Sequence, residues 1–190
     1  MRRPIYKLTG FSVIVFLVLA VSVDALNAGE SSVTPGQAIY MIKQLIPQVQ
    51  TIGLMWNRSM ENTDDLLPKI ERAAITTGVR VVIEDIEGIS DIPEKFRDLK
   101  DNRHVQVLWI IDESSPFNAS VAKDYLVKNA IVNGIALFAP NADWVSEGAC
   151  TSLSYDGSTL RLCVNKKTIS ALGLNVPDKY LQHTDFFAAK

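Results

Sequence analysis

Histidine and cysteine are scarce: the 190-residue chain has two of each. His104 and His183 have no metal-ligand partner at useful spacing, so a zinc site is not indicated. No C-x-x-C pair, G-x-S-x-G elbow, P-loop or G-x-G-x-x-G turn occurs. An enzyme on this chain therefore has no recognisable constellation behind it, and the expectation is a binding protein without cofactor. Charge of one sign is not in excess either. The net charge is −2, from 19 Lys and Arg against 21 Asp and Glu, which leaves no electrostatic footprint for nucleic acid. Hydrophobic residues make up 47% of the chain, too many for a disordered polypeptide.

The longest mainly apolar run, Phe11 to Val23, is shorter than the ~20 residues of a spanning helix. Arg2, Arg3 and Lys7 precede it, and small residues follow at Val23-Asp24-Ala25. This layout predicts a cleaved secretory signal peptide over 1–25 and a flexible leader over 26–33. One α/β domain over 34–190 would then reside in the periplasm.

Beyond the leader, strand and helix signals alternate. Thr34-Pro35-Gly36-Gln37 predicts a helix start, with Thr34 as cap, Pro35 at the first helical position and Gln37 closing a capping box. Ile39, Ile42 and Ile46 follow at helical spacing. Strands are predicted at Thr51–Trp56, Val79–Ile83, Val105–Ile111 and Ile135–Ala139. Helices are predicted at Asp65–Thr77, after Ser90, and at Asn118–Asn133. Pro68 is read into the first turn of its helix. Strands this apolar are buried on both faces, and repeated strand–helix–strand order makes the sheet parallel. The expected fold is a flavodoxin-like three-layer sandwich with a mainly parallel sheet.

The end of the chain changes character. Asp156-Gly157 between two alternating segments predicts a C-terminal β-hairpin. With Tyr155 opposite Ser158, Cys150 falls opposite Cys163, and an oxidising compartment then favours a disulfide.

In an open parallel sheet, ligands gather at the carboxyl ends of the strands. Those ends supply Asn57 and Ser59, then Asp112 and Ser114, then Asn141. These five are the candidate ligand contacts, and their donors and carboxylates suit a small polar or amine-bearing molecule. Trp56 and Trp109 lie within strands and are expected in the core. Trp144 follows a strand end and is left open.

Several runs, in shared order, resemble a known family. They are Leu45-Ile46-Pro47, Thr51-Ile-Gly-Leu-Met-Trp-Asn57, Val107-Leu-Trp-Ile-Ile-Asp112, Gly134-Ile-Ala-Leu-Phe138, Gly148-Ala149-Cys150 with Ser154-Tyr155-Asp156, and Asn165-Lys-Lys-Thr168 onward to Pro177 and Asp185. The family is the periplasmic substrate-binding proteins of ABC transporters, in the branch described as a tryptophan/tyrosine-type transport system. The resemblance covers about 34–190. Such proteins close two lobes over a ligand, so it implies a single lobe, shortened relative to the family. Gly157-Ser-Thr-Leu-Arg161 stands where the family has a helix and a basic linker. The implied function is solute binding for import or sensing, with an amino-acid-like ligand. The implied partner is a membrane permease or receptor, or a second copy covering the site. The competing expectation is a periplasmic protein–protein adaptor that kept the lobe but lost transport.

Overall fold

The structure is a computed structural model and describes residues 32–59 and 63–188. The predicted signal peptide and nearly all of the leader lie outside the described residues.

Helix α1 spans Pro35–Leu45 and begins as its sequence dictates. The Gln37 amide donates to Thr34 Oγ1 at 3.3 Å, and the Thr34 amide donates to Gln37 Oε1 at 2.9 Å. The reciprocal pair satisfies two N–H groups that a helix start would otherwise leave bare. Ala38, Ile39, Ile42 and Leu45 face inward, and full burial of a side chain such as Ile39 contributes roughly 1.5–3 kcal/mol. Strand β1, Thr51–Trp56, follows and is buried along its whole length.

Helix α2, Thr63–Thr77, leads to β2, Arg80–Asp85. A short 3-10 turn and α3, Ile92–Arg97, lead to β3, Val107–Ile110. Helix α4, Ser120–Val132, leads to β4, Ala136–Ala139. Because α2 starts at Thr63, Pro68 lies inside the helix and not in its first turn. Helix α5, Ala142–Ser146, precedes β5, Thr151–Asp156, and β6, Thr159–Asn165. Helix α6, Lys166–Ala171, a 3-10 helix at Asp178–His183 and β7, Thr184–Phe187, complete the described chain.

The seven strands form one sheet in the order β2-β1-β3-β4-β5-β6-β7. The first five are mutually parallel, β6 runs antiparallel to β5, and β7 runs parallel to β6. Two cores lie on opposite faces. One is built from α1, α2 and α6 against Ile52, Leu54, Trp109 and Phe138. The other packs α3, α4 and α5 against Met55, Leu108, Ile110 and Leu137. This is the expected three-layer α/β fold, with Trp56 and Trp109 in the core. The hairpin, however, belongs to the main sheet and is extended by β7.

The hairpin register corrects the predicted disulfide. Asp156 pairs with Thr159, so the two-residue turn is Gly157-Ser158, and Ser152, not Cys150, lies opposite Cys163. Gly157 takes φ +59°, as a turn with glycine in its first central position requires. Cys150 packs in the α1-side core. Leu162 and Val164 point into that same core, so alternation sends Cys163 to the other face. Both thiols are free and buried.

Candidate functional site

Strand order reverses between β1 and β3, and in such sheets the crevice outside the carboxyl ends at that point is the ligand position. The two loops flanking it are tied together. Asn57 Nδ2 donates to the Ser115 carbonyl at 2.6 Å, while its Oδ1 accepts from the Ser59 amide at 2.8 Å. Both ends of the Asn57 side chain thus shape backbone. Arg58 Nη1 reaches Asp85 Oδ2 at 3.5 Å, and Trp56 Nε1 donates to Asp85 Oδ1 at 2.5 Å. These contacts join the β1 and β2 ends.

The loop after β3 turns on Asp112, whose Oδ1 accepts from the Ser114 amide at 2.7 Å. Asp112 Oδ2 and Ser114 Oγ are enclosed and have no partner among the described residues. Buried polar atoms in folded proteins are nearly always paired, so these two carry spare hydrogen-bonding capacity. Ser59 lies on the exposed rim.

Asn141 caps α5, its Oδ1 accepting from the amides of Asp143 at 3.1 Å and Trp144 at 3.4 Å. Its Nδ2 donates to Glu113 Oε2 at 2.5 Å. Glu113 is the centre of a network that the sequence reading missed. Its Oε1 also accepts from Trp144 Nε1 at 3.0 Å and sits 3.4 Å from Lys123 Nζ. Lys123 lies 5.4 Å from the Trp144 ring centre and 3.6 Å from Glu147. Burial pushes the Glu113 carboxyl up, but the hydrogen bonds from Trp144 and Asn141 and the Lys123 ammonium outweigh it. The net direction is below the ordinary glutamate value. Trp144, left open by its sequence position, is fully buried. Of the five candidate contacts, Asn57 and Asn141 have both side-chain ends engaged, whereas Asp112 and Ser114 have atoms to spare.

Beside these loops, on the α1 face of the sheet, a cleft of about 210 Å³ opens between the starts of α1 and α2 and the ends of β3, β4 and β5. Leu66, Trp109, Ile111, Phe138, Pro140 and Leu153 supply much of its apolar wall. Ile111 directly precedes Asp112, so the loop with the unpaired oxygens springs from the cleft wall. Among the described residues, no group of three or more His, Cys, Asp or Glu could hold a metal ion, and no helix is long and apolar enough to cross a membrane.

The sequence profile of the family described as "ABC transporter substrate binding protein" matches residues 27–162, more than half of the chain. The chain belongs to this family. It is a family of binding proteins, not of catalysts. No curated protein sequence matches this family member. Among solved structures, a conserved domain protein from Vibrio cholerae aligns with TM-score 0.68 and 19% identity, over 83% of this chain and 61% of that one. The ABC domain from Streptococcus pneumonia in complex with L-Trp aligns with TM-score 0.66 and 18% identity, over 80% and 61%. A ligand-free, open substrate-binding protein with adhesive properties from Clostridium difficile gives TM-score 0.68 and 18% identity, over 83% and 61%. These likenesses establish the fold. The part aligned with this ABC-family chain is about three fifths of each of those proteins.

Proposed function

We propose that this chain is an extracytoplasmic solute-binding component of an ABC-type import or sensing system, with its ligand held at the carboxyl ends of β1, β3 and β4. The observation that carries this reading is the loop after Ile111. Asp112 Oδ2 and Ser114 Oγ are enclosed and have no partner among the described residues, next in sequence to the wall of an open apolar cleft. A ligand donor, an ammonium above all, would satisfy the carboxylate, and the Ser114 hydroxyl can donate to a ligand carboxylate or carbonyl. An apolar ligand body would lie against Trp109 and Phe138. An amino-acid-like molecule fits this division, and a structural neighbour described with L-Trp bound is consistent with it. Asn57 and Asn141 act by fixing the loops, and Ser59 offers its hydroxyl from the rim.

The ligand would be passed to a membrane permease or receptor, in keeping with the family. The test is a thermal-shift and calorimetric screen of the common amino acids and small organic amines against the chain and against Asp112→Asn. A ligand that stabilises the parent chain but not the variant supports the reading. No response to any of them at millimolar concentration would overturn it.

A further inference from the structure

The indole N–H groups of three tryptophans are differently employed. Trp56 Nε1 donates to Asp85 Oδ1 at 2.5 Å, and Trp144 Nε1 donates to Glu113 Oε1 at 3.0 Å. Trp109 Nε1 has no acceptor among the described residues, although the residue is only 4% exposed. Nor is this nitrogen shut away from solvent. The enclosed side-chain atoms without a partner are oxygens of Asp112, Ser114 and Ser152. An accessible N–H on an otherwise buried ring faces the open space that the ring borders, and Trp109 borders the cleft.

The surroundings of that donor make it selective. Apart from Ser32, the other side chains lining the cleft are apolar, Leu66, Ile111, Phe138 and Leu153 among them. Water can solvate the indole N–H while the cleft stands open. A ligand that fills the cleft displaces that water, and a body without an acceptor leaves the donor buried and unsatisfied. Sites that hold a buried polar group discriminate in this way against molecules lacking the matching atom. Trp109 also lies three residues before Asp112, at most about 11 Å along an extended chain, so one small molecule can meet both. We propose that Trp109 is a ligand-contacting, specificity-determining residue whose Nε1–H donates to an oxygen on the otherwise apolar body of the ligand. The ligand class is then an amine whose body carries one acceptor, such as a phenol or carbonyl oxygen, in preference to a plain hydrocarbon amine. The inference rests on the solute-binding reading of the cleft and narrows its ligand.

The test uses the full chain with tyramine and phenethylamine, which differ by one phenol oxygen. Nitrogen-edited NMR resolves the indole N–H signals, assigned through Trp56→Phe, Trp109→Phe and Trp144→Phe. In the ligand-free chain the Trp109 N–H should exchange with water about tenfold faster, or more, than those of Trp56 and Trp144. Saturating tyramine should move the Trp109 signal and slow its exchange, leaving the other two in place. Calorimetry should find tyramine about fivefold tighter than phenethylamine, and Trp109→Phe should bring that ratio to about one. A ratio taken on one folded variant is insensitive to a general loss of packing, and if Trp109→Phe does not fold, the exchange rates and the parent ratio decide. A slowly exchanging Trp109 N–H in the ligand-free chain would show that the donor is already bonded, and the proposal would be lost. Equal affinity for the two amines in the parent, or a ratio unchanged by Trp109→Phe, would also overturn it, while the solute-binding reading would stand. If neither amine binds, the assigned ligand class falls, and the wider screen of amino acids and amines decides the solute-binding reading separately.

Discussion

Asn57 and Ser115 are joined by a single hydrogen bond, Nδ2 to carbonyl, at 2.6 Å. That bond spans the point where strand order reverses, so it sets the distance between the two loops on which the proposed site depends.

Replacing Asn57 by Ala should free both loops. An exposed hydrogen bond of this kind contributes about 0.5–1.5 kcal/mol, so urea denaturation should register a loss of that order. Amide exchange at Asp112–Asn118 should accelerate more than exchange in the core strands. Asn57→Asp separates the two roles, because it keeps the acceptor for the Ser59 amide and removes the donor to Ser115. If Asp behaves like Asn, the bond to Ser115 is not what holds the loop.

The Glu113 network makes a pH prediction. Its carboxyl lies below the ordinary value of 4.5 because Trp144, Asn141 and Lys123 together outweigh the opposing effect of burial. A folded-state value below the unfolded one contributes stability that is present above the unfolded value and lost as pH falls through the folded one. The carboxyls of Asp98 and Asp185 are shifted the same way, by hydrogen bonds from Asn102 and Arg103 and from Arg161 respectively. Stability should therefore fall as the medium is acidified below about pH 4.5. Glu113→Gln should flatten part of that fall while lowering the neutral-pH plateau. An unchanged acid limb in the variant would show that the network carries no proton linkage.

Much of this architecture is legible in the chain because its cues are local. Thr34, Pro35 and Gln37 announce α1 within four residues, and the β-branched runs announce β1 to β4. The hairpin misled for an equally local reason. Asp156-Gly157 and Gly157-Ser158 are both acceptable two-residue turns, and choosing between them moves every cross-strand partner. The structure uses the second, so Cys150 and Cys163 miss each other. The Glu113 network was not legible because Glu113 lies in the loop after β3 while Asn141 and Trp144 lie together at the start of α5, 28 and 31 residues further along the chain, and only the packing of α5 on the sheet brings them together. Strand β7 has four residues and follows a 3-10 helix, too short to register as a periodic pattern.

The cysteines give a chemical prediction. Burial pushes the Cys150 thiol up to about 12, so at neutral pH it is protonated and unreactive. Cys163 is 2% exposed and touches Ser154 Oγ at 3.6 Å. A thiol reagent should modify neither in the native protein and both after unfolding. Mass spectrometry without reduction should find no loss of two protons. Cys150→Ser, which places a hydroxyl in an apolar wall, should cost about 1–3 kcal/mol.

Gly148 supplies a packing prediction. Its φ is +121°, and an added Cβ would come within 2.9 Å of Val127 Cγ1. Gly148→Ala therefore meets both a disfavoured backbone and the fixed side of α4, and a loss of about 1–3 kcal/mol is expected in denaturant titration. The paired change Gly148→Ala, Val127→Ala should recover only part of that loss, since the second substitution relieves the contact but not the backbone. Full recovery would mean that the left-handed conformation costs nothing here.

Asp112 offers the sharpest separation between stability and binding. Its Oδ1 serves the fold through the Ser114 amide, while Oδ2 is enclosed without a partner among the described residues. An unpaired buried oxygen weakens the folded state, and proteins keep such costs where function uses them. Asp112→Asn retains the serving oxygen and removes the negative charge. It should leave the ligand-free chain as stable as before or up to about 1 kcal/mol more stable, while abolishing the thermal shift produced by an amine-bearing ligand. Asp112→Ala also removes the turn bond and should be less stable than the Asn variant. If Asp112→Asn instead loses several kcal/mol and still responds to ligand, Asp112 is a structural turn residue and the contact lies elsewhere on the face.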